Sequence, residues 1–184
     1  MTARRLKIMA RYARGRILDI GYAQMPNPHL EGDVIGLDPA EAPCPPNYRN
    51  VVVGTLDDAP FGDDEFDTVV AGEVIEHVEE PLKFLRNCRR LLKPGGRLVL
   101  STINPFFPPI VLLNWLMIPR FYFAPDHVFE IAPRFLVRFL RETGFRLVKM
   151  RSGGTPLPIG GGRCIALPTP RALSFHVIYL AEAE

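Results

Sequence analysis

Short apolar runs divided by turn-forming residues set the rhythm of this chain. Ile17, Leu18 and Ile20 form the first run, interrupted by Asp19 and ended by Gly21. Val34, Ile35 and Leu37 form the second, with Asp38 at its tip. Val51–Val53, Phe66–Ala71 and Arg97–Thr102 follow, and Phe145–Met150 and Ser174–Ala181 close the series. Runs of this length predict strands, and the unbroken ones predict strands buried on both faces. A different period appears after Pro81, where Leu82, Leu85, Cys88, Leu91 and Leu92 recur at helical spacing, and the Lys93-Pro-Gly-Gly96 stretch ends that helix. A second helix is predicted from Pro133, with Phe135, Leu136, Phe139 and Leu140 as its apolar stripe and Gly144 as its stop. A short basic helix over residues 3–13 precedes the first strand.

Strands alternating with helices predict an α/β fold: a doubly wound seven-stranded sheet, mostly parallel, with one antiparallel edge strand. The last two strands have no helix between them, so they are expected to pair antiparallel at the sheet edge. Tyr22–Gly32 is too short for a regular crossover helix, and Pro26 and Pro28 break it. Prolines also cluster at 43–46, 105–109 and 156–170, which predicts loops there, the longest being Ser152–Arg171. A length of 184 residues fits one domain.

Composition narrows the function classes. A net charge of +2 is too small for a nucleic-acid surface. Cys44, Cys88 and Cys164 are far apart and show no metal-ligand spacing, so no zinc site and no disulfide framework are expected. The N-terminal basic residues have no apolar segment behind them, and Ile110–Ile118 is too short to span a bilayer. A soluble cytoplasmic chain is expected.

Two stretches carry a family likeness. One is Pro60-Phe-Gly-Asp-Asp-Glu-Phe-Asp-Thr-Val-Val-Ala-Gly-Glu-Val-Ile-Glu-His-Val78; the other is Leu91-Leu-Lys-Pro-Gly-Gly-Arg-Leu-Val-Leu-Ser-Thr102. Together they resemble class I S-adenosylmethionine (SAM)-dependent methyltransferases, over about Arg16–Ala181. Ser101–Pro105, Asp126–Val128 and Gly144-Phe145 resemble the small-molecule branch, which includes quinone-type O-methyltransferases and enzymes of cell-surface polysaccharide pathways. The resemblance implies one methyltransferase domain over residues 1–184, with an insertion or lid at about 104–125, and methyl transfer from SAM to a small acceptor without a metal.

By the same resemblance, Asp19, Gly21, Tyr22 and Ala23 match the loop under the methionine part of SAM. Asp38 matches the acid that binds the ribose hydroxyls, with Pro39 against the adenine. Leu56 and Asp57 match the loop at the adenine edge. Ala71, Gly72 and Glu73 match the strand end near the methionine amino group. The chain departs from the pattern in three ways: Ala23 and Met25 replace glycines, Thr55 stands where many relatives have Asp, and the first crossover helix is stunted. A missing helix N-terminus removes an anion site, so Arg11 or Arg14 is the expected partner for the SAM carboxylate.

His127, beside Asp126, and His77, just after the fourth strand, are the candidate general bases. Each also has a structural reading, as an anchor of the neighbouring loop. Asp63, Asp64 and Glu65 read as a solvated turn. Phe106, Phe107, Trp115, Phe121, Tyr122 and Phe123 crowd the insertion and read as an apolar lid, with sheet packing or a dimer contact as the alternative; membrane-surface contact is the lesser reading. Monomer and homodimer both stay open. Two other functions remain in view. One is a degenerate domain that serves as a binding or regulatory module, suggested by Ala23, Met25 and Thr55. The other is a nucleic-acid methyltransferase, disfavoured because Ala71-Gly-Glu-Val replaces the Asn/Asp-Pro-Pro-Tyr motif.

Overall fold

In the computed structural model, residues 2–116, 127–128, 130–160 and 163–184 are described. Helix α1 (Thr2–Ala10) leads into β1 (Arg16–Ile20), followed by β2 (Asp33–Asp38), β3 (Asn50–Val53) and β4 (Phe66–Gly72) without a helix between them. Helix α2 (Pro81–Leu91) joins β4 to β5 (Leu92–Ile103). Helices α3 (Pro108–Trp115) and α4 (Pro133–Glu142) precede β6 (Phe145–Gly160), β7 (Arg163–Leu167) and β8 (His176–Ala183). The crossover after β1 is helix-free, as its two prolines require.

The strands form one sheet in the order β3-β2-β1-β4-β5-β8-β6-β7. The first five are parallel to their neighbours, and β8 runs antiparallel between β5 and β6. Eight strands stand where seven are expected. The Ser152–Arg171 loop is replaced by the continuation of β6 and an antiparallel hairpin with β7. Pro156 and Pro158 are accommodated because this hairpin lies at the sheet edge, where a missing N–H donor disrupts little. The last strand in sequence is also not the edge: β8 is inserted between β5 and β6, and its residues Val177–Leu180 are buried.

Period-two alternation divides the strand side chains between two cores. Leu18, Val69, Leu98 and Leu100 face α2 and α4, where Leu85, Cys88, Leu136 and Leu140 are fully buried. Ile17, Val34, Val70, Val99 and Ile178 face the other side, against Met9 of α1 and the loop residues Tyr22, Leu30 and Tyr48. Each fully buried aliphatic side chain contributes about 2 kcal/mol relative to exposure. The lost crossover helices are thus replaced by loop aromatics; the Tyr22 ring lies so close to Gly36 that a Cβ there would meet it at 2.7 Å. Of the insertion, Phe107 packs edge-on against Phe175 with ring centroids 5.4 Å apart, while Phe106 and Trp115 are exposed. Phe121, Tyr122, Phe123 and Asp126 lie outside the described residues.

Candidate functional site

In an open α/β sheet, ligands bind beyond the carboxyl ends of the strands, where the strand order reverses. Here that point is the β1/β4 junction. A cavity of about 460 Å³ opens there, within the usual range for small-molecule sites. A larger groove of about 1140 Å³ runs along the far side of α1, against β6. It is away from these strand ends, so the smaller cavity is the candidate site.

One half of the cavity is made by strand tips. Gly21 leaves β1 with φ +79°, and a Cβ there would meet Val74 Cγ2 at 2.6 Å, so only glycine lets the turn pass this close. Its amide donates to Leu37 O at 2.9 Å, which ties β1 to β2. Asp38 is buried at the β2 tip and lines the cavity beside Pro39. Its two carboxylate oxygens accept hydrogen bonds from the Ala23 amide at 3.0 Å and the Ala40 amide at 2.8 Å. Gly54 and Thr55 complete this wall after β3.

Buried charge fills the other half. Arg5 of α1 is 2% exposed. Its guanidinium pairs with Glu73 and also donates to Ser101 Oγ at 3.2 Å and to Met25 Sδ at 3.3 Å. Its Nε is buried and has no hydrogen-bond partner. Glu73 also pairs with His176 of β8. Burial pushes the Glu73 carboxyl up, but the hydrogen bond and charge of His176 and the charge of Arg5 outweigh it and hold the group below its usual range. Glu73 sits at φ +61°, a left-handed conformation that costs a non-glycine residue about 1 kcal/mol or more. Met25, one of the residues that replace glycines, lines this end.

Two more buried acids lie behind this cluster. Glu76, in the 3-10 turn Ile75–His77, is fully buried, and neither carboxyl oxygen has a partner at hydrogen-bond geometry. Burial, together with the charge of Glu73, pushes it up to about 7 against the pull of Thr102 and Arg5. Asp19 accepts a hydrogen bond from Tyr48, and burial pushes it up to about 7 despite that bond, the Asn27 amide and Arg5. Asp19 borders a small adjoining cavity of about 10 Å³ rather than the main one.

His77 lines the main cavity. His127 stands edge-on against it, with ring centroids 4.7 Å apart, and the Val128 amide donates to Glu76 O at 2.8 Å. The segment after the insertion is therefore stitched to the turn that carries both Glu76 and His77.

The expected residues divide as follows. Gly21, Asp38, Pro39, Gly72, Glu73 and His77 line the main cavity. Tyr22 does not: its ring is buried on the β2 side and its hydroxyl donates to Ala42 O at 3.1 Å. Ala23 contributes its amide to Asp38. Leu56 and Ala71 are core residues. Asp57 turns outward to Lys83 Nζ at 2.7 Å and Asn87 Nδ2 at 2.8 Å, which pull its carboxyl down. Thr55, set aside in favour of Asp57 by sequence, is the one on the wall. The arginine expectation is corrected as well. Arg11 lines the outer groove, and the Arg14 backbone binds Thr68 near the opposite, amino-end edge of β4. Arg5 is the cavity arginine. No local motif marks it; only its burial on the inner face of a basic helix does. Among the described residues, no group of three or more His, Cys, Asp or Glu side chains is arranged to hold a metal ion.

Comparison with known proteins places this geometry. Residues 3–150 match a family model described as a methyltransferase domain. A ubiquinone biosynthesis O-methyltransferase from Cereibacter sphaeroides is 34% identical over 144 residues, 63% of this chain and 57% of that protein. Its counterpart in a Ruegeria species is 32% identical over 158 residues, 70% of this chain and 62% of that protein. The chain therefore spans about three fifths of these relatives. Among solved structures, one from Thermotoga maritima, described as a SAM-dependent methyltransferase and possible histamine N-methyltransferase, superimposes with a TM-score of 0.74 at 18% identity. It covers 99% of this chain and 88% of its own.

Proposed function

This chain belongs to the methyltransferase-domain family, and from that premise we propose that it moves a methyl group from SAM to an oxygen of a small, ring-bearing acceptor. The observation that carries the reading is the cavity itself. Its strand-tip half offers a carboxylate and backbone, and its other half offers a buried guanidinium, which suits a ligand with a nucleoside at one end and an amino acid at the other. Gly21 leaves the floor bare, Asp38 offers acceptors to ribose hydroxyls, and Arg5, with its unpartnered Nε, offers donors to a carboxylate. Glu73, held ionised by His176 and Arg5, suits an ammonium group. The O-methyltransferase relatives support oxygen as the acceptor atom.

When bound, SAM supplies an electrophilic methyl group on a sulfonium. The chain's own work is then to align the acceptor oxygen for in-line attack and to take its proton. His77 is the base we assign, because it is the histidine on the cavity wall, and His127 positions its ring. The asymmetry of charge in the cavity favours this reading over a non-catalytic binding module. Calorimetric titration with SAM, followed by mass detection of methyl gain on a catechol probe, tests it. The expected result is saturable heat and transfer to oxygen; no heat at millimolar SAM sinks the reading.

A further inference from the structure

The large groove outside α1 is unlike the rest of the surface. Arg4 and Lys7 of α1 and Arg11 just after it line one wall, and Lys149, Arg151 and Arg171 face them from β6 and the segment before β8. Among the described residues, no carboxylate lines it. Elsewhere many cations have an acidic partner: Arg16, Lys83, Arg90, Lys93, Arg138 and Arg146 each meet an Asp or Glu within 4.0 Å. In the groove, Arg151 donates to the Tyr12 hydroxyl at 3.1 Å, and among the described residues no ion pair involves any of the six. In a chain of net charge +2, six uncompensated cations around one concavity of about 1140 Å³ repel one another, and a bound anion relieves that repulsion.

We propose that this groove is a second binding site, for a soluble ligand carrying a diphosphate or an equivalent pair of phosphate groups. Four of the six cations are arginines, whose planar fork matches phosphoryl oxygens in pairs, and their placement on two facing walls suits a doubly charged group held between them. Ile8 and Val148 also line the groove, which gives an apolar surface for the body of the ligand beside its phosphates. A nucleic acid fits less well, since Tyr12 is the only aromatic ring besides His29 on the lining and bases stack on such rings.

The test uses inorganic pyrophosphate as the probe and calorimetry at low salt, with sulfate at matched ionic strength as the control. Saturable pyrophosphate binding, tighter than that of sulfate, is expected. The double variant Lys7→Glu/Lys149→Glu, both surface changes, is expected to weaken it at least about tenfold. In the same variant, SAM binding should hold within about twofold at saturating salt, where surface charge is screened. Equal binding of pyrophosphate and sulfate, or unchanged pyrophosphate affinity in the variant, overturns the proposal. So does an oligonucleotide that binds more tightly than pyrophosphate at equal phosphate concentration. Loss of SAM binding by the unmodified protein would sink the methyltransferase reading and leave the groove standing, so the two failures are separable.

Discussion

The two ends of the central cavity are built by opposite means. At the end proposed for the nucleoside, Asp38, Pro39 and Gly54 are strand tips and first loop residues, each within two positions of an apolar run. At the other end, Arg5 reaches Ser101 and Glu73 reaches His176, contacts that join the first helix to the fifth strand and the fourth to the eighth. The first end is an outcome of sheet geometry. The second is a tertiary assembly of polar and charged side chains that hold one another in place. Perturbation should therefore do more damage at the second end.

Chemistry at the acceptor side gives the largest expected effect. His77→Ala should lower kcat by about 10²–10⁴-fold, the span of a lost general base, while SAM affinity by calorimetry stays unchanged; a fall in affinity without a fall in kcat would reassign the residue to binding. Next is Arg5→Met, which leaves the half-buried Glu73 with one of its two cationic partners. It should cost about 3–5 kcal/mol in urea unfolding and weaken SAM by about 10–100-fold. Arg11→Ala and Arg14→Ala should leave that affinity alone, and an equal loss in either would erase the distinction drawn between them.

Glu76 gives a pH signature of the charged end. Its folded carboxyl is raised to about 7, so the folded state holds a proton that the unfolded state releases at lower pH. Stability is complete below the ordinary carboxyl range and falls as pH rises towards 7, after which it levels. Glu76→Gln should remove about 2–3 kcal/mol of that fall, visible as a Tm advantage over the unmodified protein at pH 8 that disappears at pH 4. At the nucleoside end, Asp38→Asn should weaken SAM by about tenfold, the scale of one charge-assisted hydrogen bond. Smallest of all, Asp57→Ala should leave both SAM binding and the urea midpoint unchanged, because its pair with Lys83 is exposed. A loss of binding there would restore it to the adenine wall.

The same division explains what the sequence revealed. Apolar runs located β1 to β5, and the ends of the first two located Gly21 and Asp38, because in a parallel sheet the end of a run is the edge of the site; Gly72 and Glu73 came from the resemblance to methyltransferases. Asp57 and Thr55 were exchanged because two residues on one turn point to opposite sides, and no period records which. Arg5 was hidden among the basic residues of α1, where only contact with β4 and β5 separates the inner arginine from the outer ones. The β6–β7 hairpin was hidden by its prolines and glycines, which read as loop when no neighbouring strand is in view.

One helix remains where the fold's outer layer has thinned. α1 turns Arg5 to the cavity and Arg4 and Lys7 to the groove, so a single element is the partition between two compartments. A ligand in the proposed groove site that restrained this partition would restrain it for the cavity too, and any such coupling would have to be equal in both directions. Occupancy of the groove would then be read as a change in SAM affinity, with α1 as the common term.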